Sequence, residues 1–244
     1  MAFFFVSQAY FYAGKKFNSK MPKKDISQKS NLFMSKYQYN NAKYGSHRLI
    51  LSLLEKNKLV LDIGCGKGYL GTHSKKNRFY GIEVDQDSAR KARKIYQKII
   101  VGDVEQLTDP FPGIKFDFII FADILKHLTY PLKTLIYFVE NYLADSGKVI
   151  ISLPNVAHLT IRINLLLGKF DYVDCGILDK NHLHLYTCQS AKKLIKKSGI
   201  DAEKVCYSSN RFGWLIEKFP FLGSVLGFNL IFLCRKKNKN ENFD

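Results

Sequence analysis

A cluster of glycines follows a short apolar run in the segment VLDIGCGKGYLG (60–71). Gly64, Gly66 and Gly68 allow a sharp turn at the end of a strand and let backbone amides approach a ligand with no Cβ in the way. The same letters also satisfy a GxGxxG pattern that ends at Gly71. Glycine spacing therefore predicts a cofactor site and leaves the class of cofactor open.

Three acidic residues near this loop narrow the choice. Glu83 ends the second apolar run, where a carboxylate can accept hydrogen bonds from ribose hydroxyls in either class of cofactor. Asp103 follows the third run and can accept a hydrogen bond from an adenine amino group. Asp62 can help to hold an ammonium group, which a dinucleotide lacks, or it can brace the glycine loop through backbone amides. The acids favour an adenosine cofactor that also has an ammonium group.

The elements that must position these residues alternate along the chain from His47 onward. Short apolar runs predict strands, and the charged or periodic segments between them predict helices. The predicted strands are 58–63, 79–84, 98–101, 116–122, 148–153, 203–208 and 225–234, with helices at 47–57, 85–96, 131–143 and 188–198. Runs that are apolar throughout suit strands covered on both faces. The pattern predicts an α/β fold with a doubly wound, mostly parallel, seven-stranded sheet and an insertion after strand five (154–187).

Together these motifs resemble the class I S-adenosylmethionine-dependent methyltransferases. The matching segments are VLDIGCGKG (60–68), YGIEVD (80–85), GDVE (102–105), FDFIIFADILKHL (116–128) and KVIISLPN (148–155). The resemblance implies S-adenosylmethionine as the cofactor, with Glu83 at the ribose and Asp103 with Val104 at the adenine. It implies that the cofactor contacts come from Asp62, Gly64, Cys65, Gly66, Gly68, Glu83, Val84, Asp103, Val104, Ala122 and His127. No metal is required for this transfer.

Two residues inside the motifs need separate comment. Cys65 is expected to fill space within the loop, because nothing in the motif requires a thiolate. Lys126 stands where relatives usually have an acid, and its helical position predicts an exposed side chain.

The acceptor side should lie after strands four and five. Transfer to a hydroxyl needs a base, and His158 and His182 are the candidates. The candidate acceptor contacts are Asn155, Arg162, Asp179 and His184. The alternative for both histidines is that they cap or brace the insertion, while His47 and His73 are expected on the surface away from the acceptor. Residues 153–187 are similar to a bacterial subgroup that acts on surface glycans and other small acceptors, which implies O-methylation of a small-molecule or glycan acceptor, lipid-linked glycans included.

The chain has 244 residues and a net charge of +17, and much of the surplus is terminal. Nine basic side chains and one acid occupy residues 1–48. We therefore expect a mobile, basic and aromatic extension (1–35), a methyltransferase domain (36–236) and a basic, polar tail (237–244). The 46% hydrophobic content excludes a fully disordered polyelectrolyte.

The charge also keeps other functions open. An RNA methyltransferase would use a basic, aromatic surface to bind phosphates and stack bases. A non-catalytic module that binds the cofactor or a membrane surface is a further alternative, since the extension could contact anionic lipid. The odd number of five cysteines, without a CxxC pair, predicts a reducing, cytoplasmic location and no zinc site. The basic, aromatic extension also fits a cytoplasmic protein that is held peripherally at the inner face of the membrane.

Overall fold

The computed structural model describes residues 41–209 and 211–237. The predicted extension (1–35), the first residues of the predicted domain (36–40) and all but the first residue of the predicted tail lie outside this range. In chain order the elements are α1 (Ser46–Leu53), β1 (Leu59–Ile63), α2 (Tyr69–His73), β2 (Arg78–Glu83), α3 (Gln86–Ala92), β3 (Lys98–Val101), β4 (Phe116–Ala122), a 3-10 turn (Leu125–His127), α4 (Pro131–Tyr142), β5 (Leu143–Pro154), α5 (Leu159–Leu166), α6 (Cys188–Lys197), β6 (Ile200–Ser208), α7 (Gly213–Lys218), a second 3-10 turn (Pro220–Leu222), α8 (Gly223–Leu226) and β7 (Asn229–Lys236).

The strands form one seven-stranded sheet in the order β3-β2-β1-β4-β5-β7-β6. Neighbouring strands from β3 to β5 are parallel, whereas β7 runs antiparallel to both β5 and β6. The prediction of a doubly wound, mostly parallel, seven-stranded sheet is confirmed. Because β1 lies between β2 and β4, the chain reverses its winding direction beside β1, and ligands bind at such a point.

The core lies on both faces of the sheet because successive side chains of a strand point to opposite faces. On one face, Ile119 and Phe121 of β4 pack in the cluster that includes Phe138 of α4. On the other face, Phe118 and Ile120 belong to the cluster that contains Ile50 of α1. All six side chains are at most 1% exposed, which explains why β4 is apolar throughout.

The structure corrects some predicted element boundaries. β5 begins at Leu143, where it pairs with Phe116, so Gly147 lies inside the strand and does not end a turn before it. The last strand begins at Asn229, and α7 and α8 lie in a second insertion (209–228) that the sequence did not reveal. Residues 225–228 of this segment were predicted as the start of the last strand, because a short helix and a buried strand can have the same composition.

Both insertions lie at the edge of the sheet where the parallel strands end. Pro154 at the end of β5 and Ser208 at the end of β6 both pair with Asn229, the first residue of β7. The glycine loop after β1 and the turn after β4 lie at the same edge. Among the residues that the structure describes, no helix combines the length and the apolar composition needed to cross a membrane.

Candidate cofactor and acceptor site

The glycine loop adopts the backbone geometry that its sequence predicts. Gly64, Gly66 and Gly68 have φ values of 71°, 54° and 80°, in the left-handed region that strains other residues. A Cβ on Gly64 would lie 3.0 Å from the Ile124 side chain, so the loop after β1 packs against the loop after β4. A Cβ on Gly66 would meet no atom within 4 Å, so this side of the loop is open to a ligand.

Glu83 fastens the glycine loop to the end of β2. The Gly66 amide donates to one carboxylate oxygen of Glu83 at 2.7 Å, and the Asp85 amide donates to the other at 2.9 Å. Glu83 is 2% exposed; burial raises the pKa of its carboxyl, while the two amide bonds oppose that rise. Each carboxylate oxygen retains a second lone pair, so the group can hold the loop and still accept a hydroxyl.

Asp62 lies beneath the loop and has incomplete hydrogen bonding. The Tyr96 hydroxyl donates to Asp62 Oδ2 at 2.7 Å, whereas Oδ1 is buried without a partner among the described residues. Burial raises the pKa of Asp62 to about 7, with the Tyr96 bond opposing and the Glu83 charge adding to the rise. A nearby cation would satisfy the free oxygen and favour the charged form, as an ammonium group would.

Other predicted cofactor residues lie at or just after the carboxyl ends of β1 to β4. Val84 is 55% exposed beside the buried Glu83, and Val104 is 8% exposed at the start of the turn after β3. Asp103 is exposed, and its carboxylate accepts from the Glu105 amide and the Gln106 side chain. Ala122 is half-buried at the end of β4. Cys65 is 7% exposed and burial raises the pKa of its thiol, which agrees with a packing role.

A buried ion pair organises the turn after β4. Lys126 is 4% exposed, and its Nζ lies 3.0 Å from Asp123 Oδ1, so the prediction of an exposed Lys126 is wrong. Asp123 also accepts from Ser152 Oγ at 3.0 Å and Asn229 Nδ2 at 2.9 Å. Burial raises the pKa of Asp123, but the charge and hydrogen bond of Lys126 outweigh it, so the pKa is lowered overall.

The backbone of this turn is strained and well supported. Asp123 has φ 57°, an uncommon value for a residue with a side chain, and such values cluster at functional sites. Its amide donates to the Ser152 carbonyl at 3.1 Å. The Lys126 carbonyl accepts from the Leu183 and His184 amides, at 2.8 and 3.2 Å. The ends of β4 and β5 and the first insertion therefore form one connected unit.

Two histidines meet where the insertion crosses this turn. The rings of His127 and His182 are 5.0 Å apart between centroids. His182 Nδ1 lies 2.9 Å from the Ile177 carbonyl, which can only accept, so Nδ1 must have the proton. His182 Nε2 is then the basic nitrogen, and it is buried without a partner among the described residues. Burial and the Lys126 charge lower the pKa of both rings, that of His127 to about 4.

The other predicted catalytic residue, His158, caps α5. The Thr160 amide donates to His158 Nδ1 at 3.3 Å, and its ring packs 6.0 Å from Phe228. Burial lowers its pKa. These contacts match the capping alternative that the sequence left open.

The predicted acceptor contacts are of two kinds. Two are buried side chains that hydrogen-bond to neighbouring segments, and two are exposed or half-buried. Asn155 is fully buried and donates to the Ser224 and Gly227 carbonyls, which places it beneath the site. Asp179 is 2% exposed and accepts from the Asn181 amide and side chain, bracing the turn that leads to His182. Arg162 is exposed and donates to the Ala157 carbonyl, while His184 is half-buried against Tyr186.

His47 lies closer to the site than its sequence position suggested. It is half-buried in α1, near the Tyr69 ring, and it interacts electrostatically with Asp123 and His73. Burial lowers its pKa. The expectation of a surface residue away from the acceptor side is wrong for His47, whereas His73 is exposed as expected.

The sequence missed the partners of the acids. Tyr96 could not be recognised, because its bond to Asp62 joins residues 34 positions apart. Gly71 offered one signal, since a Cβ there would overlap the Tyr96 ring. The spacing of Asp123 and Lys126, three residues apart, was a second signal for an ion pair. In the described part of the chain, no group of three or more His, Cys, Asp or Glu side chains could hold a metal ion.

Comparison with known proteins agrees with this geometry. The model of a family described as "Methionine biosynthesis protein MetW" matches residues 45–220. Ribosomal protein L11 methyltransferases of Paraburkholderia phytofirmans and Paraburkholderia phymatum are 32% and 30% identical over 118 residues. Each match covers 44% of this chain and 38% of the relative, so the chain spans well under half the length of these relatives.

Solved structures show the same fold. Magnesium protoporphyrin IX methyltransferase of Synechocystis, with bound SAH, matches with a TM-score of 0.59 at 14% identity, over 86% of this chain and 94% of that one. A protein of Pyrococcus horikoshii matches with a TM-score of 0.58 at 20% identity, over 87% of this chain and 100% of that one. At these identities the likeness establishes the class I methyltransferase fold.

Proposed function

The chain belongs to the MetW family, and from this premise we propose that it is an S-adenosylmethionine-dependent methyltransferase. The proposal rests chiefly on one observation. The open glycine loop, the loop-binding Glu83 and the half-satisfied Asp62 converge at the point where the winding direction reverses. This is where an α/β sheet of this kind binds its ligand.

The residues present fit the proposed cofactor. Glu83 would accept the ribose hydroxyls with its remaining lone pairs, and Asp62 Oδ1 would face the ammonium group. Val84 offers an exposed apolar side chain next to Glu83, where an adenine ring would pack, and Asp103 would accept from the adenine amino group. When bound, S-adenosylmethionine supplies an activated methyl group that a nucleophile displaces in line.

For a hydroxyl acceptor, His182 is the better candidate for the base. Its Nε2 has a lone pair and no partner among the described residues, whereas His158 Nδ1 is already used as a helix cap. Burial beside Lys126 lowers the pKa of His182, which keeps the ring neutral and able to accept a proton at pH 7. The Ile177 carbonyl fixes the ring, the Asp179 carbonyl accepts from the His182 amide, and Lys126 pairs with Asp123.

The acceptor is proposed to be a small molecule or a glycan. Arg162 and His184 are the polar side chains of the first insertion that we propose as acceptor contacts, and the family description, methionine biosynthesis, favours a small metabolite. RNA is the second candidate, supported by the net charge of +17. Peripheral contact of residues 1–35 with an anionic membrane and a cytoplasmic location remain predictions.

Label transfer tests the activity and the acceptor together. The full chain is incubated with radioactive methyl donor and a bacterial extract separated into metabolite, glycan, lipid, protein and RNA fractions. We expect label in the metabolite or glycan fraction, and its loss with His182→Ala. Label in RNA would support the second candidate. Cofactor binding without transfer to any fraction would contradict an enzymatic role.

A further inference from the structure

The two insertions at the carboxyl edge expose apolar side chains that methyl transfer does not use. In the first insertion, Leu165, Leu166 and Leu167 are 52%, 87% and 65% exposed. In the second, Trp214 and Phe221 are 61% and 75% exposed. We call these five side chains the apolar rim. Large apolar patches on a folded chain mark interaction sites.

The two halves of the rim are linked, because the insertions are joined at their bases. The Asn155 side chain, in the first insertion, donates to the Ser224 and Gly227 carbonyls in the second, at 3.0 Å each. The His158 ring at the start of α5 packs on Phe228. Both insertions also leave the sheet at the same edge.

The first half of the rim projects from the protein body. Every residue from 162 to 176 is exposed, so none of residues 41–209 and 211–237 packs closely over the end of α5 and the loop after it. An apolar tip that projects in this way can enter another phase, whereas a groove would be needed to receive a peptide or a helix.

The charges around the rim are mainly basic. Five basic side chains lie in the two insertions: Arg162, Lys169, Lys180, Arg211 and Lys218. Of the four acids there, Glu217 is bonded to Lys43 and Tyr44, Asp174 is paired with Lys180, Asp179 is buried and Asp171 is exposed. The rim is therefore complementary to a negatively charged, apolar partner.

We propose that the apolar rim docks on the surface of a lipid bilayer that contains anionic headgroups. The leucines, Trp214 and Phe221 enter the interface, and the basic side chains lie at the level of the headgroups. Leu, Phe and Trp beside Lys and Arg are the composition of interfacial membrane contacts. The inference goes beyond the proposed activity, and it depends on neither the cofactor nor the acceptor.

Trp214 provides the test, because it is the single tryptophan of the chain. The full-length protein is mixed with vesicles of phosphatidylcholine alone or of phosphatidylcholine with phosphatidylglycerol. We expect flotation with the anionic vesicles, a blue shift of the Trp214 emission and protection of Trp214 from an aqueous quencher. Vesicles of neutral lipid should bind more weakly.

Variants assign the binding to the rim. Leu166→Asp with Leu167→Asp should weaken binding at least about tenfold, because the favourable transfer of two leucine side chains from water into the bilayer interface is lost. Lys169→Gln should weaken binding about fivefold on anionic vesicles and leave binding to neutral vesicles unchanged. Ile95→Asp is the matched control: Ile95 is 41% exposed but lies in the connection into the start of β3, at the opposite edge. Melting curves check that each variant folds.

Several results would overturn the proposal. Failure of the full chain to bind vesicles would do so, as would flotation with an unchanged Trp214 emission. So would wild-type binding by the double leucine variant together with loss of binding on deletion of residues 1–40, which would assign the contact to that segment. A dimer lost in the double variant, without vesicle binding, would identify a second copy as the occupant. Glu83→Gln should still bind vesicles, which separates this test from the activity.

Discussion

Replacing Asp62 with asparagine should stabilise the ligand-free protein at high pH relative to the wild type. Asp62 is 2% exposed, and one of its carboxylate oxygens has no hydrogen-bond partner among the described residues. Ionising such a group is costly, because the charge gives up its hydration and gains only the Tyr96 hydrogen bond in return. Asparagine keeps the shape of the side chain and cannot ionise.

The size of the effect follows from the pKa of Asp62. Burial raises it from 3.8 to about 7 in the folded protein. Between these values the folded state keeps a proton that the unfolded state has released, so the free energy of unfolding falls as the pH rises. Each pKa unit corresponds to about 1.4 kcal/mol, so the wild type loses about 4 kcal/mol across the window, and the loss is complete above pH 7. Asp62→Asn should lack this loss.

Urea unfolding at several pH values between about 4.5 and 8 measures the effect. The free energy of unfolding of Asp62→Asn, minus that of the wild type, should rise by about 3 kcal/mol from the lowest to the highest pH, because about 1 kcal/mol of the loss already occurs below pH 4.5. Tyr96→Phe should enlarge the total fall in stability over this pH range, because it removes the bond that holds the pKa of Asp62 down. Tyr142→Phe is the control, since it deletes the same kind of bond to the exposed Asp109.

A constant difference between Asp62→Asn and the wild type at all pH values would refute this reasoning. So would a difference that falls as the pH rises. Calorimetric titration of the same variant with S-adenosylmethionine should show weaker binding, because a neutral amide attracts an ammonium group less than a carboxylate does.

Three further predictions concern the rest of the site. Glu83→Gln should weaken binding of S-adenosylmethionine by about 1.5 to 3 kcal/mol in calorimetric titration, and affinity within twofold of wild type would exclude a ribose contact. Lys126→Met should cost about 3 to 5 kcal/mol of stability in urea unfolding by leaving Asp123 unpaired, and adding Asp123→Asn should restore part of it. His182→Gln should slow transfer about 100-fold at unchanged cofactor affinity, and wild-type activity should persist below the usual histidine pKa of about 6.5, because burial lowers the pKa of His182.

The sequence predicted the fold wherever local patterns determine it. The bounds of β4 match the predicted 116–122, because a continuous apolar run suits a strand buried on both faces. The glycine loop matches because Gly64, Gly66 and Gly68 occupy left-handed positions that few other residues tolerate. Glu83 is placed as expected because it ends the strand next to β1.

Contacts between distant parts of the chain escaped the sequence. Lys126 was predicted to be exposed, because helical spacing does not show which face of a short turn a later segment will cover. The amides of residues 183–184 donate to the Lys126 carbonyl, and the Lys126 ammonium group pairs with the Asp123 carboxylate. His47 was misplaced because nothing in α1 shows that this helix reaches the end of β4. Both errors concern burial, which depends on tertiary packing more than on periodicity.

The position of β7 has a consequence for how this protein is made. The strand lies between β5 and β6, and Asn229 at its start completes the bonds of Asp123. Until the ribosome has delivered residues 229–236, the nascent chain holds β5 as an open strand edge, which is prone to pair with other chains. The proposed acceptor side therefore cannot form before β7 has been synthesised, and any pause before β7 emerges exposes a half-built sheet to aggregation.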